Sequence, residues 1–260
     1  MNPPVTVLMP VRNSVGSVER AVLSIVHQTH DAWELLVVDD ASTDGTWEVV
    51  QALARQDSRV VAIRNHERRG LGASLNLAWS RSRHELIARM DGDDESFTIR
   101  LARQAGFMAE QPEVAVLGTG AELVDESGSP LGLAIPFERH DELVRDMYRR
   151  SPFIHPSVVM RRSFLQQLGG YDESLWIWYS TDQDLWLRGY RRFRFHNLQE
   201  PLIRYRTRST LSWEATLGGA FVLARAAYRE GRILSRGWYA ARFFLAALTR
   251  NARLRPSRAT

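Results

Sequence analysis

The sequence predicts an α/β fold: a mainly parallel sheet with flanking helices, followed by a helical C-terminal tail. Three observations predict it. Apolar strand-like runs alternate with amphipathic helical segments over the first 118 residues, the pattern of right-handed βαβ crossovers. Two acidic clusters, Asp39-Asp40 and Asp91-Gly92-Asp93-Asp94, fall where predicted strands run out, and the carboxyl ends of strands in an open α/β sheet face the crevice that binds ligands. At 260 residues, with 44% hydrophobic and 25% charged side chains, the chain can bury one large α/β core or two small ones.

The first strand, residues 5–9, is an apolar run closed by Pro10. Ser14 or Ser17 can cap the helix that follows through His27. A second strand at 34–38 delivers Asp39 and Asp40. The polar run 41–45 has turn and cap chemistry and opens a helix over 46–55, where Val49, Val50 and Leu53 share one face. A third strand spans 60–63, Gly70-Leu71-Gly72 leads a helix through Ser82, and a fourth strand spans 85–90. Residues 98–108 are helical and 114–117 strand-like. Beyond Gly118 the pattern is less regular. Residues 121–124 and 130–134 flank the turn 125–128 as a hairpin or meander. A helix is expected over 138–149, a strand over 157–160, a helix over 182–190 and two short strands around Pro201 within 193–205. From Leu211 the chain is predicted helical to Asn251, broken near Gly231 and Gly237. The expected organisation is a catalytic domain at 1–210, with halves 1–118 and 119–210, and a helical basic extension at 211–260.

There is no cysteine, which excludes disulfides, zinc–thiolate sites and thiol nucleophiles. The start, Met1-Asn2-Pro3-Pro4, carries no basic or long apolar leader. No run reaches the ~20 apolar residues of a bilayer span; the best candidate, 238–248, contains Arg242. The expected location is the cytoplasm, in solution or at the inner face of the cell membrane. Every basic side chain is arginine, and from Ala220 onward nine arginines face one glutamate, a local +8 that leaves −4 for residues 1–219. That asymmetry argues against a nucleic-acid-binding body. It fits a tail that meets an anionic partner such as lipid, or a solvated helix in a chain biased towards arginine. The tail interleaves Trp238, Tyr239, Phe243, Phe244, Leu245 and Leu248 with Arg232, Arg236, Arg242, Arg250, Arg253 and Arg255. Such a segment can lie on an anionic leaflet, or cover the catalytic domain or a second subunit of a homo-oligomer.

The spacing Asp91-Gly92-Asp93 suits Mg²⁺ or Mn²⁺, because hard oxygen ligands leave water and phosphate to complete an octahedron. With Asp39-Asp40 at a neighbouring strand end, the pair of clusters points to a nucleoside diphosphate held with a divalent cation. Arg68 and Arg69 before the Gly70 turn, with free amides at a helix start, can face a phosphate.

Four motifs in order carry a family resemblance: Met9-Pro10-Val11-Arg12-Asn13; Val37-Val38-Asp39-Asp40-Ala41-Ser42-Thr43-Asp44-Gly45-Thr46; Asp91-Gly92-Asp93-Asp94; and a later set. That set comprises His155-Pro156-Ser157, Gly169-Gly170-Tyr171-Asp172-Glu173 and Thr181-Asp182-Gln183-Asp184-Leu185-Trp186. Together they resemble the family 2 glycosyltransferases across about residues 5–206. The resemblance implies a GT-A fold with a Rossmann-like sheet, a nucleotide-activated sugar donor, a divalent metal and inversion at the anomeric carbon. Residues 1–118 then become the nucleotide-sugar half and 119–210 the acceptor half.

The resemblance places the donor's base and ribose on Pro10, Val11, Arg12 and Asn13, with Asp39 accepting the uracil imide hydrogen in UDP-sugar users and Asp40 helping to position the pocket. A carboxylate is an acceptor only and matches that N–H. One of the two aspartates can instead cap the turn through Ser42, a role that falls on Asp40 rather than Asp39. Asp91 is expected to face the ribose, Gly92 to permit close backbone approach, and Asp93 or Asp94 to reach the cation that bridges the diphosphate. Arg69 matches a basic residue frequent before this glycine.

Inversion needs a base for the acceptor hydroxyl, which the resemblance assigns to Asp182. Thr181 replaces the glutamate that usually precedes it, so the acceptor side departs from the family. Asp184 is readable as a helix first-turn charge. Trp176, Trp178 and Tyr179 can stack on a sugar face or pack a core. His155 can touch acceptor or diphosphate, or be structural. Arg208 stands where relatives carry histidine; it can neutralise diphosphate but cannot ligate metal. Thr98 stands where relatives often carry proline. The expectation is transfer of a sugar from a nucleotide-diphospho-sugar, UDP-linked by preference, to a glycan or lipid-linked hydroxyl in bacterial surface polysaccharide or glycolipid assembly. The alternative is a degenerate sugar-nucleotide-binding protein assembled with membrane partners. A nucleotidyltransferase would carry a glycine-rich, lysine-bearing loop after the first strand, which Arg12-Asn13-Ser14-Val15-Gly16 does not match.

Overall fold

The structure is a computed structural model that describes residues 2–174, 180–207 and 213–231. Strands β1 (Val5–Val11), β2 (Trp33–Asp39), β3 (Val60–Arg64) and β4 (Leu86–Arg89) pair in parallel in the order β3-β2-β1-β4. Between them run α1 (Val18–Val26), α2 (Thr46–Gln56) and α3 (Leu71–Arg81). These strands read as unbroken apolar runs because both faces are covered. Val5, Val7, Met9 and Val11 pack with Val18, Val22 and Ile25 of α1, whereas Leu8, Leu36, Val38 and Ile63 pack with Leu75 and Ala78 of α3.

The sheet continues from β4 through β8 (Val159–Arg161), β6 (Val114–Val124), β9 (Arg194–Arg206) and β5 (Glu95–Ser96), while β7 (Pro130–Ala134) pairs with β6 off that path. This half is mixed: β6 and β9 are parallel, and the remaining pairings are antiparallel. Helices α4 (Arg100–Glu110), α5 (His140–Asp146), α6 (Arg162–Leu168), α7 (Thr181–Gly189) and α8 (Trp213–Arg229) complete the described elements, with a 3-10 turn at His155–Ser157.

Several boundaries differ from the sequence expectation for identifiable reasons. Pro10 lies inside β1 rather than closing it. Val11 O accepts from Asp40 N on the β2 side and Leu8 O from Met90 N on the β4 side. The missing N–H of Pro10 therefore faces β4, beyond the last Leu8–Arg89 pairing. Ser17 occupies the cap position of α1, but its hydroxyl donates to Gly92 O at 2.8 Å instead of capping. The two short strands expected at 114–117 and 121–124 are one strand, because Gly118 and Gly120 let it pass where Asn197 and Ile135 leave no room for a Cβ. The two strands expected around Pro201 are likewise one, with a register slip between Thr119–Leu198 and Gly120–Pro201.

Helix α8 is packed on the second half of the sheet region: Val222, Leu223 and Ala226 share a core with Leu185 and Trp186 of α7, and Arg225 meets Asp172 Oδ2 at 2.6 Å. The proposed tail features at 232–260 lie outside the described residues. Among the described residues no helix is long and apolar enough to cross a membrane.

Candidate active site

Parallel register brings four strand ends to one edge: Val11 opposite Asp39, Asp39 opposite Arg64, and Leu8 opposite Arg89. The turn after β2 is knitted to the end of β1. Asn13 N donates to Ser42 Oγ at 2.9 Å, Thr43 N to Asn13 Oδ1 at 3.0 Å and Ser14 N to Thr46 Oγ1 at 2.8 Å. These bonds hold Asn13 in the left-handed region at φ 49°, leaving Pro10 and Val11 buried and Arg12 and Asn13 exposed at the rim.

Asp39 and Asp40 divide their work differently from the sequence expectation. Asp39 caps the turn: both its oxygens accept from Ser42 N at 3.3 Å, and Arg64 Nε lies 3.2 Å away. Asp40 instead organises the loop into α3, accepting from Asn65 Nδ2 at 2.8 Å, Arg69 N at 2.7 Å and Gly70 N at 2.9 Å. Arg69 thus meets Asp40 through its backbone, while its guanidinium reaches Glu173 Oε2 at 3.5 Å.

The end of β4 carries the acidic loop. Gly92 seats it against β1, since a Cβ there would lie 2.6 Å from Val11 Cγ1. Asp91, Asp93 and Asp94 each offer an oxygen within 4.8 Å of the others. Asp94 is buried; Oδ1 accepts from Arg206 N at 2.8 Å, and Oδ2 has no hydrogen-bond partner among the described residues. Burial, then the charges of Asp91 and Asp93, push its carboxyl well above the usual carboxylate range. A buried, unpartnered carboxylate oxygen facing two further carboxylates is a donor set that fits a hard divalent cation.

Two buried arginines behind this loop escaped the sequence reading. Arg89 is 3% exposed, with Nη2 at 2.5 Å from Asp91 Oδ1. Arg100 is fully buried, donating from Nη2 to Arg89 O and from Nε to Gln104 Oε1, both at 2.9 Å. Burial and the charge of Arg89 lower its pKa to about 9. The available signal for Arg89 was a charge inside an otherwise apolar strand, Leu86-Ile87-Ala88-Arg89-Met90.

Residues of the second half come within electrostatic reach of the acidic loop. Asp182 lies in the first turn of α7, and burial raises its carboxyl pKa despite the opposing pull of Arg89. Thr181 is 1% exposed with its hydroxyl unpartnered among the described residues, so it is turned inward rather than towards an acceptor. Asp184 exceeds a helix first-turn charge: it is buried, with Arg188 Nε at 2.6 Å and Arg229 Nη1 at 3.5 Å. His155 Nε2 and Tyr171 Oη lie 3.1 Å apart; burial and Arg89 drive the His155 pKa well down, keeping the imidazole neutral. Tyr205, pushed up to about 12 by burial and by Asp91 and Asp94, closes the group. Trp176, Trp178, Tyr179 and Arg208 lie outside the described residues.

Known proteins similar to this chain are glycosyltransferases. The model of the family described as glycosyl transferase family 2 matches residues 6–169. A putative glycosyltransferase, EpsE, of Bacillus subtilis is 36% identical over 78% of this chain and 73% of its own length. An Escherichia coli UDP-Gal:alpha-D-GlcNAc-diphosphoundecaprenol beta-1,3-galactosyltransferase is 26% identical over 78% of this chain and 74% of its own. Among solved structures, the mannosyltransferase PcManGT of Pyrobaculum calidifontis, in complex with GDP-Man and Mn²⁺, superposes with a TM-score of 0.68 at 20% identity, covering 98% of this chain and 77% of that one.

Proposed function

Because the chain belongs to glycosyl transferase family 2, we propose that it is an inverting, metal-dependent glycosyltransferase with Asp182 as base. It takes its sugar from a nucleotide-diphospho-sugar, UDP-linked by preference, and passes it to a hydroxyl of a glycan or lipid-linked acceptor. The observation that carries this reading is the Asp91, Asp93 and Asp94 cluster with its unpartnered buried oxygen, with the carboxylate of Asp182 within electrostatic reach of Asp91. Asp93 and Asp94, joined by Asp91 of the same cluster, would hold Mn²⁺ or Mg²⁺, which supplies charge to neutralise the leaving diphosphate. The Mn²⁺ and GDP-Man of PcManGT, and the UDP-Gal and diphosphoundecaprenol in the name of the Escherichia coli relative, support a metal, a nucleoside-diphosphate donor and a lipid-linked acceptor.

This chain's residues divide the work. Pro10 to Asn13 and the turn capped by Asp39 line the base and ribose pocket, and Asp39 accepts the imide N–H of uracil. Asp40 holds the amides of Arg69 and Gly70 at the start of α3. Asp182 accepts the acceptor hydroxyl's proton as that oxygen attacks the anomeric carbon and the nucleoside diphosphate departs from the opposite face. Burial raises the Asp182 pKa above the usual carboxylate value, which strengthens it as a base. The assembly belongs to bacterial surface polysaccharide or glycolipid synthesis, at the inner membrane face. Thr181 and Arg208, where relatives carry glutamate and histidine, are the features of the binding-only alternative; the retained Asp91, Asp93 and Asp182 argue against it.

The test is titration calorimetry of UDP, GDP, dTDP and CDP with Mn²⁺ or with EDTA. Metal-dependent binding that prefers UDP supports the reading; preference for another base reassigns the donor, and no binding to any of them refutes it.

A further inference from the structure

The end of β4 carries a charge that this chemistry leaves unused. Of the three nitrogens of Arg89, only Nη2 is engaged, on Asp91 Oδ1 at 2.5 Å. Nε and Nη1 are buried and find no hydrogen-bond partner among the described residues. A guanidinium presents five N–H donors in a planar fork, and burying charged donors without acceptors is costly unless something supplies those acceptors.

The groups within electrostatic reach of Arg89 are Asp91 and Asp94 of the acidic loop, Tyr171 after α6, His155 of the 3-10 turn, Asp182 of α7 and Tyr205 of β9. Asp91 and Asp94 belong to the donor side and Asp182 to the acceptor side, so the guanidinium lies between the two ends of the reaction. Arg100, bonded to Arg89 O, places a second cation behind it and blocks retreat into the sheet by like-charge repulsion. Asp91 holds the fork at the acidic loop, so a group bound at that loop is placed to supply the acceptors that Nε and Nη1 lack.

We propose that Arg89 is a donor-diphosphate ligand held in reserve by Asp91. In the free protein it is the counter-ion of Asp91. Once Asp91 is engaged by a divalent cation, the guanidinium is released to donate to the phosphate oxygens of the bound nucleoside diphosphate, whose geometry its fork matches. The inference rests on the nucleoside-diphosphate reading of the site. Its consequences have opposite signs: without Arg89 the cation meets less competition for Asp91 and binds tighter, while the diphosphate loses charge-assisted donors and binds more weakly. A purely structural role would weaken both.

Calorimetry on the full chain and on Arg89→Met and Arg89→Lys tests this, with Mn²⁺ alone, then with UDP and with UMP at saturating Mn²⁺. Arg89→Met is expected to bind Mn²⁺ several-fold tighter and UDP about tenfold more weakly, with UMP changed far less than UDP. Arg89→Lys is expected to recover part of the UDP affinity. Weaker Mn²⁺ binding by a folded Arg89→Met, or unchanged UDP binding, overturns the proposal. If Arg89→Met does not melt cooperatively, Arg89→Lys decides: a lysine cannot form the fork, so unchanged UDP affinity in that variant overturns the proposal. If the wild type binds none of the four diphosphates with Mn²⁺, the underlying reading fails and this inference with it.

Discussion

Asp94→Asn is expected to stabilise the metal-free protein at pH 8 and to do nothing at pH 4. Asp91, Asp93 and Asp94 offer oxygens within 4.8 Å of one another, so at an effective dielectric constant of about 20 each ionised pair repels by roughly 3 kcal/mol. Arg89 offsets part of that, and Asp91 and Asp93 are open enough to be screened, leaving a net gain of about 1–2 kcal/mol when one charge is removed. Asparagine keeps an oxygen for Arg206 N, so the loop retains its anchor. The sign follows from the direction of the shift: the Asp94 pKa is raised above 3.8, so the folded state binds this proton more tightly than the unfolded chain does. Stability is therefore lost as pH rises from the unfolded value through the folded one, and the penalty is complete above it. Scanning calorimetry in EDTA should show a melting temperature higher by about 2–8 °C for the variant at pH 8, with the two proteins converging near pH 4. Mn²⁺ should stabilise the wild type more than the variant. A variant that melts lower at pH 8, or that differs equally at both pH values, refutes the account of Asp94 as an uncompensated charge.

Asp182→Asn should retain nucleoside-diphosphate affinity and lose about 10²–10⁴-fold in transfer; an equal loss of binding, measured by calorimetry, would remove Asp182 from the base role. Gly92→Ala should unseat the acidic loop, because its Cβ would meet Val11 Cγ1 at 2.6 Å, and Mn²⁺ titration should show weakened binding with the fold retained by circular dichroism. The His155 imidazole should stay neutral in NMR titrations at pH 6, below the usual midpoint of 6.5; ordinary titration there would mean that burial and Arg89 do not govern it.

The parallel half was legible because its signals are local. Apolar runs ending in Asp39-Asp40 and Asp91-Gly92-Asp93-Asp94 fix both the strands and the edge on which the carboxylates meet. What escaped depends on pairing between distant segments. β5, two residues long, exists because Glu95 and Ser96 pair with Arg204 and Ile203, and nothing in its own composition announces a strand. Helix α6 is only seven residues, too short for a clear period. The assignment of turn-capping to Asp40 rather than Asp39 failed for a related reason: adjacent residues on a strand point to opposite faces, and only the tertiary positions of Ser42 and of Arg69 show which carboxylate meets which amide. Arg89 was invisible as a site residue because an arginine in a strand gives no hint of its partner two residues on.

The two halves of the sheet are interlocked at the acidic loop. The parallel half supplies Asp91, Asp93 and Asp94, but the amide that satisfies Asp94 comes from Arg206 on β9, whose side chain also reaches Asp93 O at 3.3 Å and the carbonyls of Asp125 and Glu126. The guanidinium that neutralises Asp91 comes from Arg89 of β4, within electrostatic reach of Tyr171 and His155 of the second half. Without β9 the acidic loop would lose the amide that satisfies Asp94, so the mixed half of the sheet helps to fix the electrostatics of a loop that leaves the parallel half, which is a physical reason for one continuous sheet to run through both.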